Sequence, residues 1–173
     1  QNPSAVLDVV GLKTEFHLAK RQLKAVSGVD LVIQPGEALG LVGESGSGKS
    51  VTALSLLGLV ASPPGVICAG GIYISGKEAL SGKPEDLRRL RGGDVAYIFQ
   101  DPLSTLHPLF SVGHQMVEAI RAHRIMPYKQ AWSEAVARLR QVQIPNPEAR
   151  AHNLPHELSG GMRQRVSIAM ALV

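Results

Sequence analysis

The sequence predicts an α/β fold with an antiparallel β layer and an all-helical insert. Three observations carry that prediction. A short apolar run, Ala38 to Val42, leads into the glycine-rich loop Gly43 to Ser50 and then into a helical face formed by Leu54, Leu57 and Leu59. Ahead of it, residues 5 to 16 and 25 to 33 have strand composition and partial alternation. Behind it, from residue 103, the apolar spacing turns helical.

The elements follow in order. Residues 5 to 16 are the first strand, His17 to Lys24 a polar connection, and residues 25 to 33 a half-buried strand with Val29, Leu31 and Ile33 on one face. Gln34-Pro-Gly-Glu37 is a turn. Ala38 to Val42 reads as a buried strand. Residues 51 to 76 carry no charge, but Pro63-Pro64-Gly65 and Gly70-Gly71 interrupt them, which predicts helix, turn and strand and not a membrane span. The strand in that stretch is Gly71 to Ser75, closed by Gly76-Lys77. Pro84 to Arg91 is a short helix with proline near its start, stopped by Gly92-Gly93. Asp94 to Phe99 is apolar and β-prone, a core strand ending in Gln100-Asp101-Pro102. Val112 to Arg124 and a segment opened by Pro127, through Trp132, Val136, Leu139 and Val142, are helices. Pro147 to Ala151 adds a further helical turn, and Ser159 caps a last helix over Val166 to Val173.

The glycine loop carries the chemistry. Gly43-x-x-x-x-Gly48-Lys49-Ser50 is the phosphate-binding pattern of P-loop NTPases, in the strand–loop–helix context it requires. Successive backbone N–H groups and a helix N-terminus there point at an anion. Lys49 is expected to reach the β- and γ-phosphates, and the Ser50 hydroxyl to hold Mg²⁺.

Composition narrows the classes. The 173 residues suffice for a domain with a real core, at 45% hydrophobic and 18% charged residues. A net charge of +4 is dispersed along the chain, and seven aromatic residues (three Phe, three Tyr, one Trp) offer no stacking platform, so no nucleic acid partner is expected. The single cysteine, Cys68, excludes an internal disulfide and reads as a small buried hydrophobe. No basic leader with an apolar run stands at the N-terminus, which predicts no signal peptide.

The segment Leu158-Ser-Gly-Gly-Met-Arg-Gln-Arg165 resembles the signature motif of ATP-binding cassette (ABC) ATPases. Gln100, directly after the strand at 94 to 99, stands where that family has its Q-loop glutamine. Val42 to Leu54, Ile98-Phe-Gln-Asp-Pro102, Val112-Gly113 and Pro155 to Arg165 are similar to the ATPase subunits of bacterial dipeptide/oligopeptide importers, whose relatives include nickel and glutathione importers and fused two-cassette proteins. The resemblance covers essentially the whole chain.

It implies an ABC nucleotide-binding domain. A nucleotide core would span residues 1–102, a helical subdomain 103–157, and the signature with its helix 158–173. ATP would be held by Gly43, Glu44, Ser45, Gly46, Ser47, Gly48, Lys49, Ser50 and Val51. Gln100 would contact Mg²⁺ or the attacking water, making Lys49 and Gln100 the catalytic pair and Ser50 and Gln100 the metal contacts. Ser159, Gly160 and Gly161 would contact the γ-phosphate held by an opposite cassette. Phe16 is the candidate for stacking on adenine; the alternative is a core or strand-edge phenylalanine.

The implied partners are two hydrophobic permease subunits, a second cassette and, indirectly, an extracytoplasmic substrate-binding protein. They place the protein peripherally on the cytoplasmic face of the bacterial inner membrane. Phe110, Val112 and Met116 either receive a coupling helix of a membrane subunit or simply pack the insert. His107, His114, His152 and His156 read as surface or packing residues, and Glu157 as a capping or interface carboxylate.

The family's Walker B strand, D-loop and switch histidine do not follow the signature within these 173 residues, so this stretch is expected to bind nucleotide only weakly and not to turn it over. The alternatives to an importer subunit are a soluble repair- or translation-type ABC ATPase and a nucleotide-binding module without turnover. The compact insert argues against a coiled-coil repair ATPase.

Overall fold

The computed structural model describes residues 2, 4–80, 84–101 and 105–173. The chain divides into two compact units, Gln1–Leu90 and Arg91–Val173. The boundary expected between residues 102 and 103 lies outside the described residues, as does Pro102 of the expected turn.

The first unit is built on a four-stranded antiparallel sheet of order β2-β1-β3-β4. Its strands are β1 (Leu7–Leu18), β2 (Arg21–Ile33), β3 (Gly65–Ile74) and β4 (Lys77–Glu78). β1 pairs with β2 on one side and β3 on the other. Strand side chains alternate between faces, so a buried face normally recurs every second residue. Here Val9, Leu12 and Thr14 are all buried, an odd step followed by an even one. Register shifts between Val9 and Leu12 absorb the extra residue and keep one face continuous. That face carries Val26 of β2 and Ile72 of β3 as well. Against it packs α1 (Lys49–Leu56), where Thr14 Oγ1 and Ser55 Oγ lie 2.8 Å apart.

Five expectations need correction in this unit and the next; the strand expected at Gly71 to Ser75 instead starts at Gly65 and runs through Gly70-Gly71, with Gly71 paired to β1. The polar stretch 17 to 24 is not a connection but the tip of the β1–β2 hairpin, with only Ala19 and Lys20 in the turn. Cross-strand pairing between Leu18 and Arg21 outweighs the stretch's polar composition. Residues 38 to 42 form no strand, and Leu39, Leu41 and Val42 are exposed, Val42 at 90%. Residues 96 to 99 likewise form no strand, with a single bridge, Arg91 to Val95, just before them. A strand is a property of a hydrogen-bonded pair. Apolar composition, strand propensity and the expected strand–loop–helix context are local signals, and neither run has a ladder partner among the described residues. Cys68 is exposed and not buried, for a reason that lies in the register of β3.

The second unit is helical after its first turns. α2 (Pro84–Arg89), in the first unit, runs into a kinked turn at Leu90–Asp94, where Arg91 and Gly92 leave helical geometry. α3 (Val112–His123) is capped by Ser111, whose hydroxyl accepts from the His114 N–H at 3.3 Å. α4 (Tyr128–Gln141) starts after Pro127, and α5 (Pro147–Arg150) has proline at its first position. α6 (Gly160–Ala171) closes the unit. Its core includes Val112, Met116, Val117 and Ile120 from α3, Ala131, Ala135 and Leu139 from α4, and Val166 and Ala169 from α6, all buried. No helix among the described residues is long and apolar enough to cross a membrane.

Candidate functional site

In the first unit the loop at 43 to 50 opens directly into α1. Gly43, Gly46 and Gly48 have φ of 159°, 84° and 92°. The first is extended backbone; the other two are left-handed, a region most L-residues avoid. Gly48 has a second constraint. A Cβ there would lie 2.4 Å from the Ala25 carbonyl oxygen, so the loop can sit on β2 only without a side chain at this position.

The N-terminus of α1 has no side-chain cap. The first intrahelical bond runs from the Thr52 N–H to the Gly48 carbonyl at 2.8 Å, and the N–H groups of the first turn have no intrahelical acceptor. The positive end of the helix dipole therefore faces an exposed loop of small residues. Lys49 adds charge at the same place. Its Nζ donates to the Gly43 and Glu44 carbonyls, both at 2.6 Å, and to Ser47 Oγ at 3.2 Å. The loop is thus wrapped around its own ammonium group. Ser50 is exposed in the first turn of α1, and Val51 lies beside it with its carbonyl accepting from Ser55 Oγ at 2.6 Å. Glu44 and Ser45 are exposed in the loop. This donor set suits a polyphosphate, and a hydroxyl at the helix start is a suitable oxygen ligand for Mg²⁺.

Phe16 belongs to the same unit. It is half-buried on β1, paired with Leu23 of β2 and Gly65 of β3. Leu23 is only two residues from Ala25, on which Gly48 rests, or about 7 Å along the strand. The architecture therefore brings Phe16 and the loop to one end of β2.

The other predicted residues are in the second unit. Gln100 is exposed in a bend after residues 94–99. Ser159 caps α6, its hydroxyl accepting from the Met162 N–H at 3.3 Å, and Gly160 and Gly161 are exposed in the first turn. A Cβ on Gly161 would meet nothing within 4 Å, so a large ligand can approach the backbone there. Leu158 is buried just before it and anchors the helix start. Glu157 is a capping residue: its carboxylate accepts from the Leu154 N–H at 2.6 Å. The signature's arginines hold backbone, with Arg165 donating to the Gln143 carbonyl at 2.7 Å and Arg163 to the Pro155 carbonyl at 3.5 Å.

Val112 and Met116 are fully buried core residues, so of the three candidates for partner contact only Phe110 is exposed. Phe110 lines a cleft of about 480 Å³ together with His114, Tyr128, Trp132 and His152. Their rings run in series, with centroids 5.4 Å apart for Phe110–His114, 6.5 Å for His114–Tyr128, 6.1 Å for Tyr128–Trp132 and 4.8 Å for Trp132–His152. Sequence reasoning missed this cleft. The available signal was spacing: Phe110 and His114, like Tyr128 and Trp132, stand four residues apart.

A family model described as "ABC transporter" matches residues 26–173. A Brucella abortus protein named as a peptide import ATP-binding protein is 47% identical over 176 residues, covering 97% of this chain and 51% of that protein. The oligopeptide transport ATP-binding protein AppD of Bacillus subtilis is 45% identical over 169 residues, covering 98% of this chain and 52% of that protein. The chain thus spans about half the length of these relatives. Among solved structures, a dimeric ATP-binding cassette in a post-hydrolysis state, bound to ADP and Pi, superposes with a TM-score of 0.81 at 27% identity, covering 96% of this chain and 68% of that one.

Proposed function

Because the chain belongs to the ABC transporter family and has the fold of its ATP-binding cassettes, we propose that it is part of the ATP-binding subunit of a bacterial peptide-type importer. In this reading ATP binding and hydrolysis at a two-cassette interface are coupled to substrate uptake. The observation that carries it is the presence, in one chain, of two small-residue helix starts of different build. One, at Lys49, is uncapped and wrapped around a lysine; the other, at Gly160, is capped by Ser159 and open above Gly161. The first suits a polyphosphate held by this chain. The second suits a phosphate presented by another molecule, and a relative of known structure is a dimer. Peptide-type cargo is supported by what the relatives are named for.

The residues then divide the work. Backbone N–H groups of Gly43 to Val51 bind the phosphates, and Lys49 releases the loop carbonyls to neutralise phosphate charge. The Ser50 hydroxyl would hold Mg²⁺, which when bound neutralises charge on the transferring phosphoryl group. Phe16 offers its ring to the base. Ser159, Gly160 and Gly161 act on the nucleotide of the opposite cassette.

The partners in this reading are a second cassette and two permease subunits, with an extracytoplasmic substrate-binding protein acting through them, at the cytoplasmic face of the membrane. The aromatic cleft at Phe110 is the surface we assign to a membrane subunit. It is concave, open and largely aromatic, with His114 and His152 in its lining, as suits a protruding amphipathic partner helix. In the full-length subunit, Lys49→Ala should abolish ATP-dependent peptide uptake while the complex still assembles. Uptake at the unsubstituted rate would refute the motor role.

A further inference from the structure

Away from the phosphate loop, the solvent face of the sheet gathers three metal-ligand types that the proposed function does not use. Glu15 and His17 stand two apart on β1 and so share a face, opposite to that of Thr14 and Phe16. Glu15 Oε2 and His17 Nε2 are 3.5 Å apart. Cys68 joins them from β3, and one ligand atom from each of the three lies within 4.8 Å of the others.

The register explains why a cysteine arrives there. Lys13 pairs with Ala69 and Thr14 with Ile67, so Cys68 is one residue too many on β3. Such a bulge re-aims a side chain. This one exposes the thiol and turns it toward Glu15. The side chain of Gln22, opposite His17 on β2, reaches the same point: its Nε2 hydrogen-bonds to Glu15 Oε2 and lies 3.2 Å from His17 Nε2. An electropositive N–H group thus sits between the carboxylate and the imidazole, where a cation bridging them would sit.

We propose that Glu15, His17 and Cys68 form a binding site for a borderline-soft divalent cation of the zinc class. Bond lengths of about 2.0–2.3 Å at tetrahedral angles require ligand atoms roughly 3.3–3.8 Å apart. The Glu15–His17 pair meets this as it stands, and rotation of the exposed Cys68 and His17 side chains closes the rest. The set of thiolate, imidazole and carboxylate selects zinc-class ions over Mg²⁺, which takes oxygen ligands, so the site is chemically separate from the nucleotide's metal. On binding, the thiol proton leaves to solvent, the Gln22 amide is displaced, and water completes the fourth position. The ion would clamp β1 to β3 on the face opposite Phe16.

Cobalt(II) serves as the spectroscopic probe. Cys68 is the only cysteine in the chain, so any sulfur-to-cobalt charge-transfer band reports this thiolate alone. Titrating the full chain with Co²⁺ should give a tetrahedral spectrum with that band, saturating near one equivalent and bleached by Zn²⁺. Cys68→Ser should remove the band, while His17→Ala and Glu15→Gln should each weaken binding by about tenfold or more. Absence of the charge-transfer band at saturating Co²⁺ would overturn the proposal. So would a band whose affinity is unchanged in both His17→Ala and Glu15→Gln, since that is cobalt on a bare thiol.

Discussion

The Cβ that Gly48 lacks would lie 2.4 Å from the Ala25 carbonyl oxygen, and Gly48 holds φ at +92°. The antiparallel layer and the phosphate loop therefore meet at a backbone contact that admits no side chain. Gly48→Ala must relieve both a clash and a left-handed conformation, which together cost on the order of 1–3 kcal/mol. Urea unfolding should show that loss, and nucleotide affinity should fall with it because the loop moves off β2.

Thr14 and Ser55 make a second link between sheet and loop helix. Ser55 has one hydroxyl proton, and Val51's carbonyl accepts it at 2.6 Å, so Thr14 donates to Ser55 Oγ. Ser55→Ala strands the Thr14 donor in a fully buried place and should cost about 1–3 kcal/mol. Thr14→Val leaves only an acceptor unmet and should cost less. The double variant should lose less than the sum, a non-additivity that urea unfolding of all three variants measures directly.

Gly113 reverses the usual helix rule. Alanine in place of glycine within a helix normally gains up to about 1 kcal/mol. Here a Cβ would meet the Trp132 ring at 2.7 Å and the Ala151 carbonyl oxygen at 2.8 Å, where α3 packs beneath the aromatic cleft. Gly113→Ala should destabilise by about 1–3 kcal/mol through overpacking, and tryptophan fluorescence should report the displaced ring.

Glu134 gives a pH signature. Hydrogen bonding from Arg124 leads, desolvation opposes, and Arg138 adds to Arg124's charge, so its carboxyl is held below the ordinary value of 4.5. A depressed carboxylate contributes stability that is present above the unfolded value and is lost as pH falls through the folded one. Two arginines share the group near the surface, which limits the contribution to about 1 kcal/mol. Glu134→Gln should be less stable than the parent at pH 7 and equal to it once pH is well below 4.5, and added salt should narrow the gap at pH 7.

Legibility followed the kind of signal each segment carries. α3, α4 and α6 were readable because apolar residues at helical spacing went into a single core, and Ser159 marks the start of α6 with a side-chain cap. The loop was readable from its glycine–lysine–serine spacing, and Gly46 and Gly48 hold left-handed conformations that glycine adopts cheaply. The hairpin tip at Ala19-Lys20 was not, since exposed strand ends are polar and pairing alone defines them. Ala38–Val42 and Asp94–Phe99 misled for the converse reason: apolar composition predicts burial, but a ladder needs a partner. Cys68 was misread because a register shift, invisible in composition, turned it outward. The aromatic cleft escaped because its rings come from three segments far apart in the chain.

The central claim is that the loop at 43 to 50 is a polyphosphate site whose charge comes from Lys49. Isothermal titration of the chain and of its Lys49→Ala variant with Mg·ATP and with adenosine tests it most directly. Among the described residues Lys49 bonds only to exposed loop groups, so the variant should unfold within about 1 kcal/mol of the parent. The account predicts that the chain prefers ATP to adenosine and that the variant loses about tenfold or more in ATP affinity, some 1.4 kcal/mol, with adenosine unaffected. Equal ATP affinity in the two proteins would contradict it.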